Sequence, residues 1–227
     1  METTAKKSSR KSAPRGADNK IQAAYIEYVL NHGHRPASVF KFCTDLGIKE
    51  EAFYDHFGTF EGLERHIWKG FIDTTTERLK ADKEYAAFSA REKILAFYYT
   101  FFEEVKSSRS FMFVQLEDHR KLELVPGFIK DFKSAYEAYV EHTLKAGQTT
   151  GEVAKRPLLD KQYPRLFWLH MGFLLMFWKN DSSAGFEKTD AAIEKSVNLA
   201  FDLIGKGAVD SVIDFAKFLY QANSRRL

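Results

Sequence analysis

Residues able to do chemistry are scattered through this chain, with one exception. The seven histidines stand at 32, 34, 56, 66, 119, 142 and 170, and only His32 and His34 approach metal-ligand spacing. Those two flank Gly33, a glycine placed to end a helix, and read as solvated side chains. Asp118 and His119 are adjacent and read as members of a surface salt bridge rather than as a ligand pair. Cys43 is the single cysteine, so no intramolecular disulfide can form, and on its apolar stripe it reads as a small core residue. No G-x-x-x-x-G-K-[ST], no G-x-G-x-x-G after a strand and no G-x-S-x-G is present. The pattern is that of a binding protein, not an enzyme, and calls for no catalytic residue, metal or cofactor. The exception is GIKEEAFYDHFGTFEGL, residues 47–63. There Gly, Tyr, His and Phe frame a short helical stretch that carries two adjacent glutamates, Glu50 and Glu51. The frame suits a helix that reads DNA, whereas glutamate repels phosphate.

The elements around this stretch follow from hydrophobic spacing. Ile21, Ala24, Tyr25, Tyr28 and Val29 form one face of a helix ending at Gly33. Ser38 is placed to cap a second helix whose stripe is Val39, Phe42, Cys43 and Leu46, closed by Gly47. Ile48 and Phe53 anchor a third short helix, with Phe57 behind it. Three short helices joined by glycine-containing turns make a helix-turn-helix head. A long helix is predicted from about residue 59 to 80, with Leu63, Ile67, Phe71 and Leu79 buried. Ser89 to Glu92 has capping-box spacing and opens a helix through Ile94, Tyr98, Phe101, Phe102 and Val105. Further helices are predicted at 110–122, from Pro126 to a stop at Gly147, at 160–179, at 190–204, and as a last amphipathic piece from Val209 to Tyr220. No strand pattern and no internal repeat emerges, so the fold class is all-α.

Composition sets the limits. The 21 Phe and 10 Tyr, with only 5 Pro and 13 Gly in 227 residues, favour packed helices over a turn-rich β architecture. The longest apolar run, Leu166 to Trp178, is too short for a membrane span, which needs about 20 residues, and is interrupted by His170. The first twenty residues hold no apolar run of a secretory signal, and the lone cysteine fits a reducing compartment, so a cytoplasmic protein is expected. Net charge is +3, but residues 1–20 alone carry +4, from Lys6, Lys7, Arg10, Lys11, Arg15 and Lys20 against Glu2 and Asp18. Such an arm is either a solubilising tail or a phosphate-holding extension of a DNA-reading head.

Read in register, HGHRPASVFKFCTDLGIKEEAFYDHFGTFEGL resembles the DNA-binding head of TetR-type transcriptional regulators. Gly33, Ser38, Val39, Phe42, Cys43, Gly47, Ile48, Phe53, Tyr54, His56, Phe57 and Leu63 all stand where that pattern places them. The resemblance implies a basic flexible arm over 1–16, a helix-turn-helix domain over 17–62, and a helical ligand-binding and dimerisation domain over 63–227. It implies that Ser38 donates its hydroxyl to a phosphate, that Lys49 meets phosphate or a guanine edge, and that Tyr54 and His56 bond the backbone of the other strand. Lys20 and Lys41 would add phosphate contacts, and Glu50 could accept from a cytosine amino group. Three departures stand out. Thr59-Phe60-Glu61 replaces the usual Ser-Lys-Glu linker, Phe40 occupies a position that is often basic, and Glu50 and Glu51 make the reading surface acidic.

For the body, the resemblance implies a homodimer joined through the helices at about 160–180 and 188–205, and an apolar effector cavity. Phe97, Phe101, Phe113, Phe128, Phe132, Tyr136, His170 and Met171 are the candidate lining. A solid aromatic core is the equal alternative. The expected partners are operator DNA, a small apolar effector that releases it, and a second copy of the chain. The segment YPRLFWLHMGFLLMFWKNDSSAGFEKTDAAIEKSVNLAFDLI also looks loosely like the TetR-like accessory proteins of ubiquinone biosynthesis, through its D-S-S-x-x-F-E loop. That implies an alternative, an isoprenoid-binding protein with a vestigial head.

Overall fold

The computed structural model describes residues 15–118, 125–205 and 207, and every regular element among them is helical. The basic residues before 15, His119 and the stretch 209–220 lie outside the described residues. Among the described residues nine α-helices succeed one another: α1 (Arg15–His32), α2 (Val39–Leu46), α3 (Glu50–Tyr54), α4 (Phe60–Ala81), α5 (Ala90–Val105), α6 (Arg109–Asp118), α7 (Lys130–Thr150), α8 (Tyr163–Asn180) and α9 (Glu187–Ile204). They group into two compact units, and the division falls inside α4, between Ile67 and Trp68. The first unit also takes in Ser108–Phe128, and with it α6.

The first unit starts from α1, whose buried positions Ile21, Tyr25 and Val29 recur every four residues along one face. Ser38 Oγ accepts from Lys41 N at 3.2 Å and starts α2. Gly47 ends α2 in the left-handed region (φ 70°), with its amide bonded to Thr44 O and the next amide, of Ile48, to Cys43 O. A side chain there would be strained, and this turn sets the angle at which α3 follows. The rings of Tyr25, Phe42, Phe53 and Phe60 pack together, with centroids 5.4–6.3 Å apart. Phe111 of α6 joins them edge-on against Tyr25, which is why this later helix belongs to the head's unit.

Among the described residues of that unit, Glu64 carries a buried charge. Glu64 on α4 is 1 % exposed. Its carboxylate accepts from Tyr25 Oη and, in a forked pair, from Arg35 Nε at 3.1 Å and Nη2 at 2.5 Å. Burial first, then the Glu64 charge, drives the Tyr25 hydroxyl well above the usual tyrosine range.

In the second unit α5, α7, α8 and α9 close a ring of four helices, with α5 against α7 and α9 and α8 against the same two. The Ser89–Glu92 capping box is present, and Glu152 adds a second carboxylate at the same helix start, accepting from Ala90 N and Arg91 N at 2.7 and 3.0 Å. Gly147 does not end α7 as expected. The helix runs on to Thr150 and is capped by left-handed Gly151, while Gly147 is needed because a Cβ there would lie 2.7 Å from Ala90 and 2.8 Å from Val153. After Pro126 comes a 3₁₀ turn, and α7 proper begins at Lys130. The buried face of α4 includes Trp68 and Ile72, while Phe71 is half-buried.

A polar chain crosses the core of this unit. Ser196 Oγ donates to Ala192 O at 2.6 Å, so it accepts from His170 Nε2 at 2.7 Å, and His170 Nδ1 accepts from Tyr98 Oη at 3.0 Å. Tyr98 in turn pairs with Tyr136 Oη at 2.5 Å. The chain suits a neutral imidazole, and burial pushes the His170 pKa down to about 4.

Arg35→Ala is expected to lower stability by about 2 kcal/mol in denaturant unfolding, short of the ~3–5 kcal/mol typical of breaking a fully buried pair because Arg35 is partly open to water. His170 sets a pH dependence of definite sign. The unfolded chain protonates it near 6.5 and the folded chain only near 4, so stability is full above 6.5, falls as pH drops, and levels off below 4. The loss is expected to be on the order of 3 kcal/mol, and His170→Gln should remove that slope from the unfolding midpoint measured against pH.

Candidate functional site

The residues expected to meet DNA separate into an exposed set, a half-buried Glu50 and a largely covered His56 side chain. Lys20, Ser38, Lys41 and Lys49 are exposed, and Tyr54 is 51 % exposed. Lys49 is the N-cap residue of α3, and Glu50 lies in its first turn. Tyr54 Oη donates to Glu50 Oε1 at 2.8 Å, one turn back, so the acidic residue and the expected reader are held together on the outer face of α3. That bond, ahead of any burial, raises the Tyr54 pKa. Lys41 stands 3.9 Å from Asp45, an exposed and weak pair. His56 differs from expectation: its side chain is only 8 % exposed and its Nδ1 pairs with Asp18 of α1. It fastens α1 to the residues that follow α3 and does not present a free donor outward.

The Thr59-Phe60-Glu61 departure also has a packing cause. Phe60 is 7 % exposed and is part of the head's aromatic cluster, so a lysine there would forfeit those ring contacts. Thr59 still caps α4, its Oγ1 accepting from Gly62 N at 3.0 Å. Cys43 is 1 % exposed, and burial raises its thiol pKa, as befits an inert core residue. His32 and His34 are exposed, and each bonds a backbone carbonyl, of Tyr28 and Arg35 respectively.

The eight candidate ligand-lining residues are divided between the two units. Phe113 and Phe128 belong to the first unit and the other six to the second. Phe97, Phe101, Phe132, Tyr136 and Met171 are fully buried. Phe97 lies over Phe101 at 6.0 Å, and Phe101 packs on Phe132 at 5.6 Å. These rings fill the space between the helices with one another. His170 alone of the eight lines the apolar cleft of about 310 Å³ between α8 and α9, with Arg156, Tyr163, Leu166, Phe167 and Leu203 among its other walls. Both its ring nitrogens are engaged, so it offers the cleft ring carbon and not a free polar contact.

One feature of this cleft left no mark in the sequence. Arg156, in a segment read only as loop, is 6 % exposed and donates to the carbonyls of Leu203, Ile204 and Gly205 and to Tyr163 Oη, at 2.8–3.2 Å. Its charge sits at the negative end of α9 and closes one end of the cleft. The outer face beside the cleft is apolar and open: Leu166, Leu169, Phe173 and Met176 of α8 and Leu199 and Leu203 of α9 are 44–62 % exposed. The D-S-S-x-x-F-E loop has a local explanation. Asp181 accepts from Ser183 and Thr189, backbone and side chain alike, at 2.6–2.9 Å, and so starts the turn into α9.

Among the described residues no helix is long and apolar enough to cross a membrane, and no group of three potential metal ligands is gathered. The family model of the tetracyclin repressor-like C-terminal domain matches residues 93–219. Comparison with curated proteins gives no match. Among solved structures, a TetR-family regulatory protein from Rhodococcus RHA1 is 19 % identical with a TM-score of 0.56, over 86 % of this chain and 100 % of that one. A TetR-family transcription regulator from Shewanella sp. PV-4 is 11 % identical with a TM-score of 0.57, over 82 % and 96 %. The fatty acid degradation regulator FadR from Bacillus halodurans is 14 % identical with a TM-score of 0.58, over 84 % and 98 %. At such identities these three structures speak for the fold, and the family match over more than half of the sequence places the chain in the TetR family of transcriptional regulators.

Proposed function

We propose that this chain is a homodimeric, ligand-responsive repressor whose operator is read by α3 and released when a small apolar molecule occupies the body. The observation that carries the reading is the head: a capped α2, a left-handed Gly47 turn, and an α3 whose outward residues Lys49, Glu50 and Tyr54 are free to enter a major groove. Ser38, Lys41 and Lys20, with the basic residues that precede the described ones, supply phosphate contacts. An acidic α3 makes each head a weak binder, so affinity depends on two heads set about 34–36 Å apart, one turn of DNA.

The second copy belongs on the open apolar face of α8 and α9. A row of leucine, phenylalanine and methionine side chains of this extent is unusual on a free surface, and a two-fold pairing would build a four-helix seam from it. The α8–α9 cleft opens among the same helices, so an apolar ligand there changes how the copies pair. That change reaches the heads as altered spacing, which is a population shift away from the DNA-competent form.

Lys49→Ala and Tyr54→Ala should each weaken binding to the chain's own upstream region at least about tenfold in fluorescence anisotropy. Loss on specific and random duplexes alike would reduce both residues to phosphate anchors, and no loss would remove α3 as the reader. Phe173→Glu should shift the chain from dimer to monomer in sedimentation velocity at micromolar concentration, with helix content unchanged by circular dichroism. A dimer that persists would place the interface elsewhere.

A further inference from the structure

The most exposed aromatic side chain among the described residues has no part in phosphate binding. Phe40, in the first turn of α2, is 66 % exposed and offers neither donor nor charge. The rest of its helix fixes where it points. Phe42 and Cys43 turn inward, and Phe40 and Thr44 turn out. Phe40 stands in the first turn of α2 between Ser38 and Lys41, the exposed residues of that turn assigned above to phosphate. The ring stands on a firm platform: Ser38 caps the helix start, Ser38 O accepts from Phe42 N, and Phe40 O accepts from Thr44 Oγ1.

A phenyl ring on a DNA-facing helix has one apolar partner in the major groove, the C5-methyl of thymine. The heteroatoms of the base edges and the phosphates beside it are polar, and burying the ring against them would strip water without return. We propose that Phe40 is a specificity residue of this head, packing its ring on the methyl group of a thymine in each half-site. This rests on the reading of the head as a DNA-binding element, and it makes a position that lacks any charge contribute to sequence choice and not to general affinity.

The test uses the full-length chain and a duplex that it binds specifically, with thymines replaced one at a time by deoxyuridine. That exchange keeps the base pair and removes only the methyl. At one symmetric pair of positions the native protein should lose about three- to fivefold in affinity per methyl, the worth of a single buried methyl group. Phe40→Ala should lose about as much on the thymine duplex and become indifferent to deoxyuridine there, while Phe40→Leu should keep part of the methyl sensitivity. Both substitutions are at an exposed site, and thermal unfolding should show them folded. Indifference of the native protein to every deoxyuridine, or unchanged methyl sensitivity in Phe40→Ala, would overturn the proposal with the DNA reading left standing. Failure of the native chain to prefer any duplex would overturn both.

Discussion

Glu64 imposes the condition on which the head depends. A carboxylate with 1 % of its surface exposed must be paid for by partners on other elements, and it has two, Tyr25 on α1 and Arg35 between α1 and α2. Together they fix the first turns of α4 against α1 and against the segment that launches α2. With those placed, the Tyr25–Phe42–Phe53–Phe60 cluster closes between them, and the Gly47 turn then sets α3 at its angle. Buried ion pairs add little net stability compared with apolar side chains of equal size, but they penalise every arrangement that leaves the charge alone. In this head such a penalty acts on the orientation of α3.

The same economy explains the departures from a strongly basic DNA-binding surface. Phe60 stands in the aromatic cluster, and His56 pairs with Asp18, so two residues with potential outward roles are spent on the head's own integrity. What is left outward is a short row of lysines, a hydrogen-bonded Glu50–Tyr54 pair and an exposed phenyl ring. In the reading proposed above, such a surface discriminates by chemistry at base edges more than it attracts by charge. In the body the relation is reversed: polar groups are drawn inside, into the Tyr136–Tyr98–His170–Ser196 chain, and apolar side chains are left outside on α8 and α9.

Much of the fold was legible because its signals are local. Apolar spacing found the helices, Ser38 and the Ser89–Glu92 box marked two starts, and Gly47 marked a stop, each through bonds within a few residues. Gly147 misled because a glycine needed for close approach looks the same in sequence as one needed for a left-handed cap; Gly151, four residues on, is the cap. The site was less legible. Nothing in the spacing of Tyr25, Arg35 and Glu64 reveals that they meet, because tertiary packing and not periodicity brings them together. The aromatic residues read as cavity lining are long-range partners of one another, and the cleft lies instead where Arg156 closes the end of α9.

The central claim is that two of these heads read one DNA site. Selection by the full-length chain from a pool of random duplexes, followed by sequencing, tests it most directly. The account predicts an enriched two-fold symmetric sequence with half-site centres about 10 base pairs, or a small multiple of that, apart. A bound pool indistinguishable from the input would contradict it.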